Sequence, residues 1–85
     1  MTKTVVVTMY VPVTVDETKF DEAFLSEFRD QFYDFDGVDD HLRHLAQLSA
    51  REIIGYGPDE FIEGYGVAKD MGISFGRTEM ETEIQ

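Results

Sequence analysis

The chain is 85 residues long, lacks cysteine and carries 18 acidic against 7 basic residues, a net charge of −11. This excludes a disulfide framework and a thiolate metal site. It also excludes direct binding to DNA, RNA or an anionic bilayer as the main activity, because those surfaces require clustered Lys and Arg. A hydrophobic content of 42%, with seven Phe and four Tyr, is too apolar for a solvated tail. The length fits a single domain, residues 1–85. No apolar run approaches the roughly 20 residues of a membrane span, and no basic leader precedes a small-residue cleavage site. A cytoplasmic location is expected.

Residues 3–15 alternate with period two. Val5, Val7, Met9, Val11, Val13 and Val15 share one parity, opposite Thr4, Val6, Thr8, Tyr10, Pro12 and Thr14. β-Branched residues in that pattern predict a strand with one buried face. Pro12 cannot donate to a ladder and places the end of that strand at an edge or past the pairing. Thr14…Glu17 and Thr18…Asp21 fit the capping-box pattern, the second with Asp in the Glu place, and predict a helix from about residue 16. Phe20, Phe24, Phe28 and Phe32 then recur every four residues, a core stripe expected to pack on the valine strand. Leu42, Leu45, Ala46, Ser49 and Ile53 predict a second helix over residues 39–54, with Gly55 as its C-cap and Pro58 beyond.

The remainder predicts a hairpin of residues 60–68 and 72–84. The apolar parity switches between Phe75 and Met80, and a bulge at Gly76 would reset the phase. The expected fold is therefore α+β: a three-stranded antiparallel sheet with two helices packed on one face, in the order β-α-α-β-β.

Several motifs tempt and fail. The run DFDGVDD at 34–40 resembles a calcium loop. With Gly37 at the sixth position, however, Phe32 and Arg43 occupy the first and last ligand places. Gly72-Ile73-Ser74-Phe75-Gly76 matches a nucleophile elbow, but a strand pattern follows it and both histidines precede it. His41 and His44, three apart, could with Asp40 grip a metal only weakly, and read as surface or boundary residues on the second helix. Two Gly-Tyr-Gly tripeptides, at 55–57 and 64–66, have no phosphate-loop spacing. No catalytic set, metal site or cofactor is expected, and the chain reads as a non-enzyme.

The informative pattern is the charge. A small domain typically carries a charge of about 2–8 in magnitude. Here residues 16–40 hold ten acids against Lys19 and Arg29, and residues 59–85 hold seven against Lys69 and Arg77. Glu27, Asp30 and Asp34 share a helix flank and lead into Asp36, Asp39 and Asp40. Asp39 and Asp40 suit a helix start; Asp34 and Asp36 are not explained that way. Glu79, Glu81 and Glu83 share one face of a strand, spaced about 6.8 Å apart. A merely solvated acidic face is the other reading of these charges.

The length, the absence of cysteine, the DFDGVDD turn and the TEMETEIQ tail resemble the small acidic inhibitors of phages and other mobile elements. These include anti-CRISPR and anti-restriction proteins of the DNA-mimic type. The likeness is one of size and charge. It implies a partner that is a basic nucleic-acid-binding protein, such as a CRISPR effector subunit, whose access to target DNA is blocked. The contact residues it implies are Glu27, Asp30, Asp34, Asp36, Asp39 and Asp40, with Tyr33 and Phe35 as aromatic anchors and Glu79, Glu81 and Glu83 as a second row. The alternatives are an acidic adaptor or dimerisation module that pairs through a sheet edge, and a weak divalent-cation binder.

Overall fold

The computed structural model describes residues 1–55 and 57–85. Tyr56, the centre of the first Gly-Tyr-Gly, lies outside the described residues. The elements follow in the order β1 (Val5–Tyr10), β2 (Val13–Thr14), α1 (Glu22–Gln31), α2 (Val38–Ala50), β3 (Phe61–Ile62), β4 (Gly66–Val67), β5 (Ser74–Phe75) and β6 (Glu79–Ile84). Short 3₁₀ turns lie at Glu17–Lys19 and Ala68–Met71. The class is α+β, with two helices and small antiparallel sheets.

The expected single three-stranded sheet does not form. The strands pair two by two: β1 with β6, β2 with β5, and β3 with β4. The long strand read over residues 3–15 is two strands broken at Val11-Pro12, and the hairpin read over 60–84 is four short strands. Alternation reports that a segment has two unlike faces, not what covers them. The end of that segment beyond Pro12 does reach the core, where Val13 and Val15 are half-buried. All six residues of β1 are exposed, as are all six of β6. The phenylalanines therefore pack elsewhere.

The phase switch near Gly76 does have the geometry of a bulge. Val13 pairs with Phe75 on one side of the break and Tyr10 with Glu79 on the other. Two residues, 11 and 12, bridge the gap on one strand and three, 76–78, on the other. The Gly76 N–H donates to the Pro12 carbonyl at 2.9 Å. One extra residue on the second strand is the definition of a bulge and turns the ribbon at that point. A Cβ on Gly76 would sit 3.0 Å from the Pro12 Cβ, so a side chain would crowd the proline.

The first helix begins at Glu22 rather than near residue 16, and Asp16 and Asp21, not Thr14 and Thr18, do the capping. Asp16 accepts hydrogen bonds from the Thr18 N–H (3.0 Å) and hydroxyl (2.7 Å), which hold its carboxyl below its usual range. Asp21, at the N-cap of α1, accepts from the Phe24 N–H at 2.9 Å. The second helix ends at Ala50, before the expected Gly55 cap. The Ile53 N–H reaches back to the Leu48 carbonyl and the Glu52 N–H to that of Ser49, both at 3.0 Å. Glu52 takes the left-handed conformation (φ 56) normally filled by glycine in such a stop. A side chain there costs conformational energy. Replacing it, Glu52→Gly, is expected to raise the unfolding free energy by about 0.5–1 kcal/mol, measured by urea denaturation.

Candidate functional site: a carboxylate surface over an aromatic core

The core gathers Phe20, Phe28, Leu45, Ile54, Ile62, Tyr65, Ala68 and Ile73. The phenylalanine stripe of α1 faces α2 and the β3–β4 hairpin rather than the valine strand. Phe28 is at its centre. Its ring lies 5.2 Å from Tyr65, 5.5 Å from Phe35 and 4.6 Å from His41, centroid to centroid. The β3–β4 turn approaches so closely that a Cβ on Gly64 (φ +90) would meet Phe28 Cε2 at 2.7 Å. Only glycine serves there, because both its backbone angle and the space require it.

His41 is completely buried, contrary to the surface or boundary position expected from the sequence. On α2 the buried residues are His41, Leu45 and Ser49, one every fourth position. That spacing was a readable signal: it places a histidine on the line of a core leucine. The His41 Nδ1 lies 2.7 Å from the Tyr65 hydroxyl. Nε2 has no hydrogen-bond partner among the described residues, and the His41 ring is steeply inclined to Phe28 (77°) and Phe35 (85°). With Tyr65 donating to Nδ1, the proton resides on Nε2. Burial pushes the His41 pKa down, with His44 adding to the effect and Asp40 opposing it. Burial likewise lowers His44 and raises the Tyr65 phenol. His41 and Tyr65 are thus neutral partners in a closed core, out of reach of any substrate.

The connection from α1 to α2 is laid over this core and pinned from both sides. Arg29 pairs with Glu22 at 3.1 Å and donates to the Phe35 carbonyl at 3.4 Å. Asp40, in the first turn of α2, accepts from the Asp36 N–H at 2.9 Å and pairs with Arg43 at 2.8 Å. Phe35 is half-buried, stacked on Phe28. Tyr33 is exposed and lies over Phe35 at 5.5 Å, nearly parallel (18°).

The carboxylates on this surface separate into two groups. Asp40 is half-buried and engaged, as above. Glu27, Asp30, Asp34, Asp36 and Asp39 are exposed, and among the described residues none of their carboxylates takes a hydrogen bond or ion pair. Asp36, Asp39 and Asp40 border one shallow depression of about 440 Å³ with Arg43. Glu27 borders a different hollow, beside Phe24, Phe28 and Phe32. Glu79, Glu81 and Glu83 belong to the β1–β6 ribbon. Their cross-strand partners are Tyr10, Thr8 and Val6, so the three share a face. Tyr10 confirms this by donating its hydroxyl diagonally to Glu81 at 3.2 Å. Among the described residues, no three His, Asp or Glu side chains converge to hold a metal ion. Among the described residues no helix is long and apolar enough to cross a membrane. Comparison with protein-family models, curated proteins and solved structures finds no match.

Two outcomes follow from the buried pair. Tyr65→Phe removes the partner of His41 Nδ1 and is expected to cost about 1–3 kcal/mol of stability, read by denaturant unfolding. The pH dependence has a definite sign. The folded pKa of His41 lies below the ordinary histidine value of 6.5, so its contribution is full above that value. It is lost as pH falls, because the unfolded chain takes up the proton first. The stability difference between the protein and His41→Gln is expected to shrink as pH falls from 7 towards 5. Comparing the two chains cancels the titration of the shared carboxylates.

Proposed function

We propose that the protein is a non-enzymatic inhibitor that offers the carboxylates of α1 and the α1–α2 connection to a basic nucleic-acid-binding surface in place of DNA. A CRISPR effector is the kind of host-defence complex such a surface would block. One observation carries the reading: the fold needs some of its acids where they are, and not these. Asp16 and Asp21 cap turns, and Glu22, Asp40 and Asp59 pair with Arg29, Arg43 and Lys69. Asp30 instead sits in the last turn of α1, where the helix dipole disfavours a negative charge, and Asp34 lies in the connection beyond the Phe32 C-cap rather than on the helix flank expected from the sequence. Glu27 and Asp30 add like-charge repulsion at i, i+3.

Five carboxylates exposed to solvent, with no partner among the described residues, are free to accept Arg or Lys. Tyr33 offers a flat exposed ring beside them, suited to stacking on a guanidinium. The backbone contacts of Arg29 and Asp40 fix the connection, so little ordering cost would remain at binding. The ribbon's Glu79, Glu81 and Glu83 would serve as a second row.

The test is charge reversal. The variant Asp30→Lys, Asp34→Lys, Asp36→Lys and Asp39→Lys is expected to weaken binding to a purified CRISPR effector complex at least about a hundredfold. Titration calorimetry at low and high salt would read it, and the salt dependence should flatten in the variant. Unfolding curves check that the fold survives. Equal binding by parent and variant would remove this surface from the mechanism.

A further inference from the structure

The β1–β6 ribbon presents a problem of its own. Paired residues in an antiparallel ladder lie on the same face, so the register sorts the side chains. One face carries Val6, Thr8 and Tyr10 with Glu83, Glu81 and Glu79. The other carries Val5, Val7 and Met9 with Ile84, Thr82 and Met80, and holds no charge. This second face is bare: Val5 is 50% exposed, Val7 54%, Met80 60% and Ile84 64%. An isolated two-stranded ribbon is marginal in water, and a continuous apolar patch of this kind marks a contact surface.

We propose that this face is covered by the same face of a second copy, the two ribbons stacking antiparallel about a two-fold axis. Charge does not forbid a second copy, and the fit of the ribbon tip to the groove at its root favours one. Each chain carries a net charge of −11, yet the apolar face brings no like charges together, and the glutamate row of each copy stays outward in water. Antiparallel stacking also sets the two acidic bodies at opposite ends, where repulsion between them is least. The molecule measures 52 × 26 × 18 Å, so the bodies can stand well apart.

Shape agrees. A two-fold stack puts the tip of one ribbon against the root of the other. At the root, an open, mostly apolar groove of about 590 Å³ runs between Met9, Val11 and Pro12 and the Ala46 and Ala50 side of α2. Val5 and Ile84 at the tip have the size and character to enter it. The five exposed apolar side chains leave on the order of 500 Å² per copy, so a pair would bury on the order of 1,000 Å², the lower bound of a specific interface. The contact is isologous and closes on itself, leaving no bare apolar face to propagate a fibre. None of this depends on the inhibitor reading, which concerns different side chains.

The experiment is a molar-mass measurement, by sedimentation equilibrium, on the full chain over a wide concentration range. A concentration-dependent mass of twice the chain is expected. Val7→Lys with Met80→Lys is expected to weaken self-association on the order of a hundredfold, by burying unpaired charge. Those lysines reduce the net charge, so any general electrostatic effect would favour association instead. Thr8→Lys, on the opposite face, should leave the dimer intact. Circular dichroism checks folding; the ribbon contributes nothing to the buried core, so the variants should keep it. A monomer at every concentration, or a double variant that dimerises as well as the parent, would overturn the proposal and leave the face to a different protein.

Discussion

The fold depends on one packed knot, the ring of Phe28 against His41 and Tyr65. Each major element contributes to it: α1 supplies Phe28, α2 supplies His41, and the turn from β3 to β4 supplies Tyr65 and the glycine that lets it approach. The knot is aromatic but not purely apolar. The hydroxyl of Tyr65 and the imidazole of His41 must be buried together, since either alone would be an unpartnered polar group in a low-dielectric core. Their mutual hydrogen bond is a condition of the packing rather than an addition to it. Such a pair selects one arrangement of the helices over others that would bury the same phenylalanines.

That knot also explains how a chain of this charge folds at all. The two histidines on α2 are held neutral by burial, and the aromatic rings remove a large apolar area from water. The acids stay at the periphery, where water screens them. Self-repulsion is nevertheless concentrated where α1 ends and the next helix begins, over a backbone fixed by Arg29 and Asp40. A fold selected only for stability would place cations at the end of α1. Arg29 is there, but it divides its guanidinium between Glu22 and the Phe35 carbonyl and makes no ion pair with Asp30 or Asp34.

Helix positions were readable because helical periodicity is local. The phenylalanine stripe is visible in the letters, and so is the shift by Gly76, because a change of parity must have a geometric cause; the cap is not, since Asp21 itself caps α1 where the capping-box pattern puts Thr18. What covers each strand was not readable. A valine run with alternate threonines looks the same whether its apolar side meets a helix or nothing within the chain. Pairing between residues more than seventy apart depends on where the intervening elements put the ends, and no local signal encodes that. His41 was misjudged for a related reason. Histidine is usually a boundary residue, and its burial required Tyr65, which lies on another element. The carboxylates were all legible as charge, but which of them the fold employs became clear only from their partners.

The ribbon has a topological consequence. Because β1 and β6 come from opposite ends of the described chain, their pairing ties everything between them into a ring, with the Gln85 N–H on the Thr4 carbonyl as the last link. Closing so long a loop carries an entropic penalty that rises only slowly with length, and the body can meet it after its own helices are in place. The latch is therefore expected to shut late and open first, as a unit separate from the body. Anything that grips the latch from outside would draw the ring tight and slow the escape of the whole chain from its folded state, without touching a single core residue.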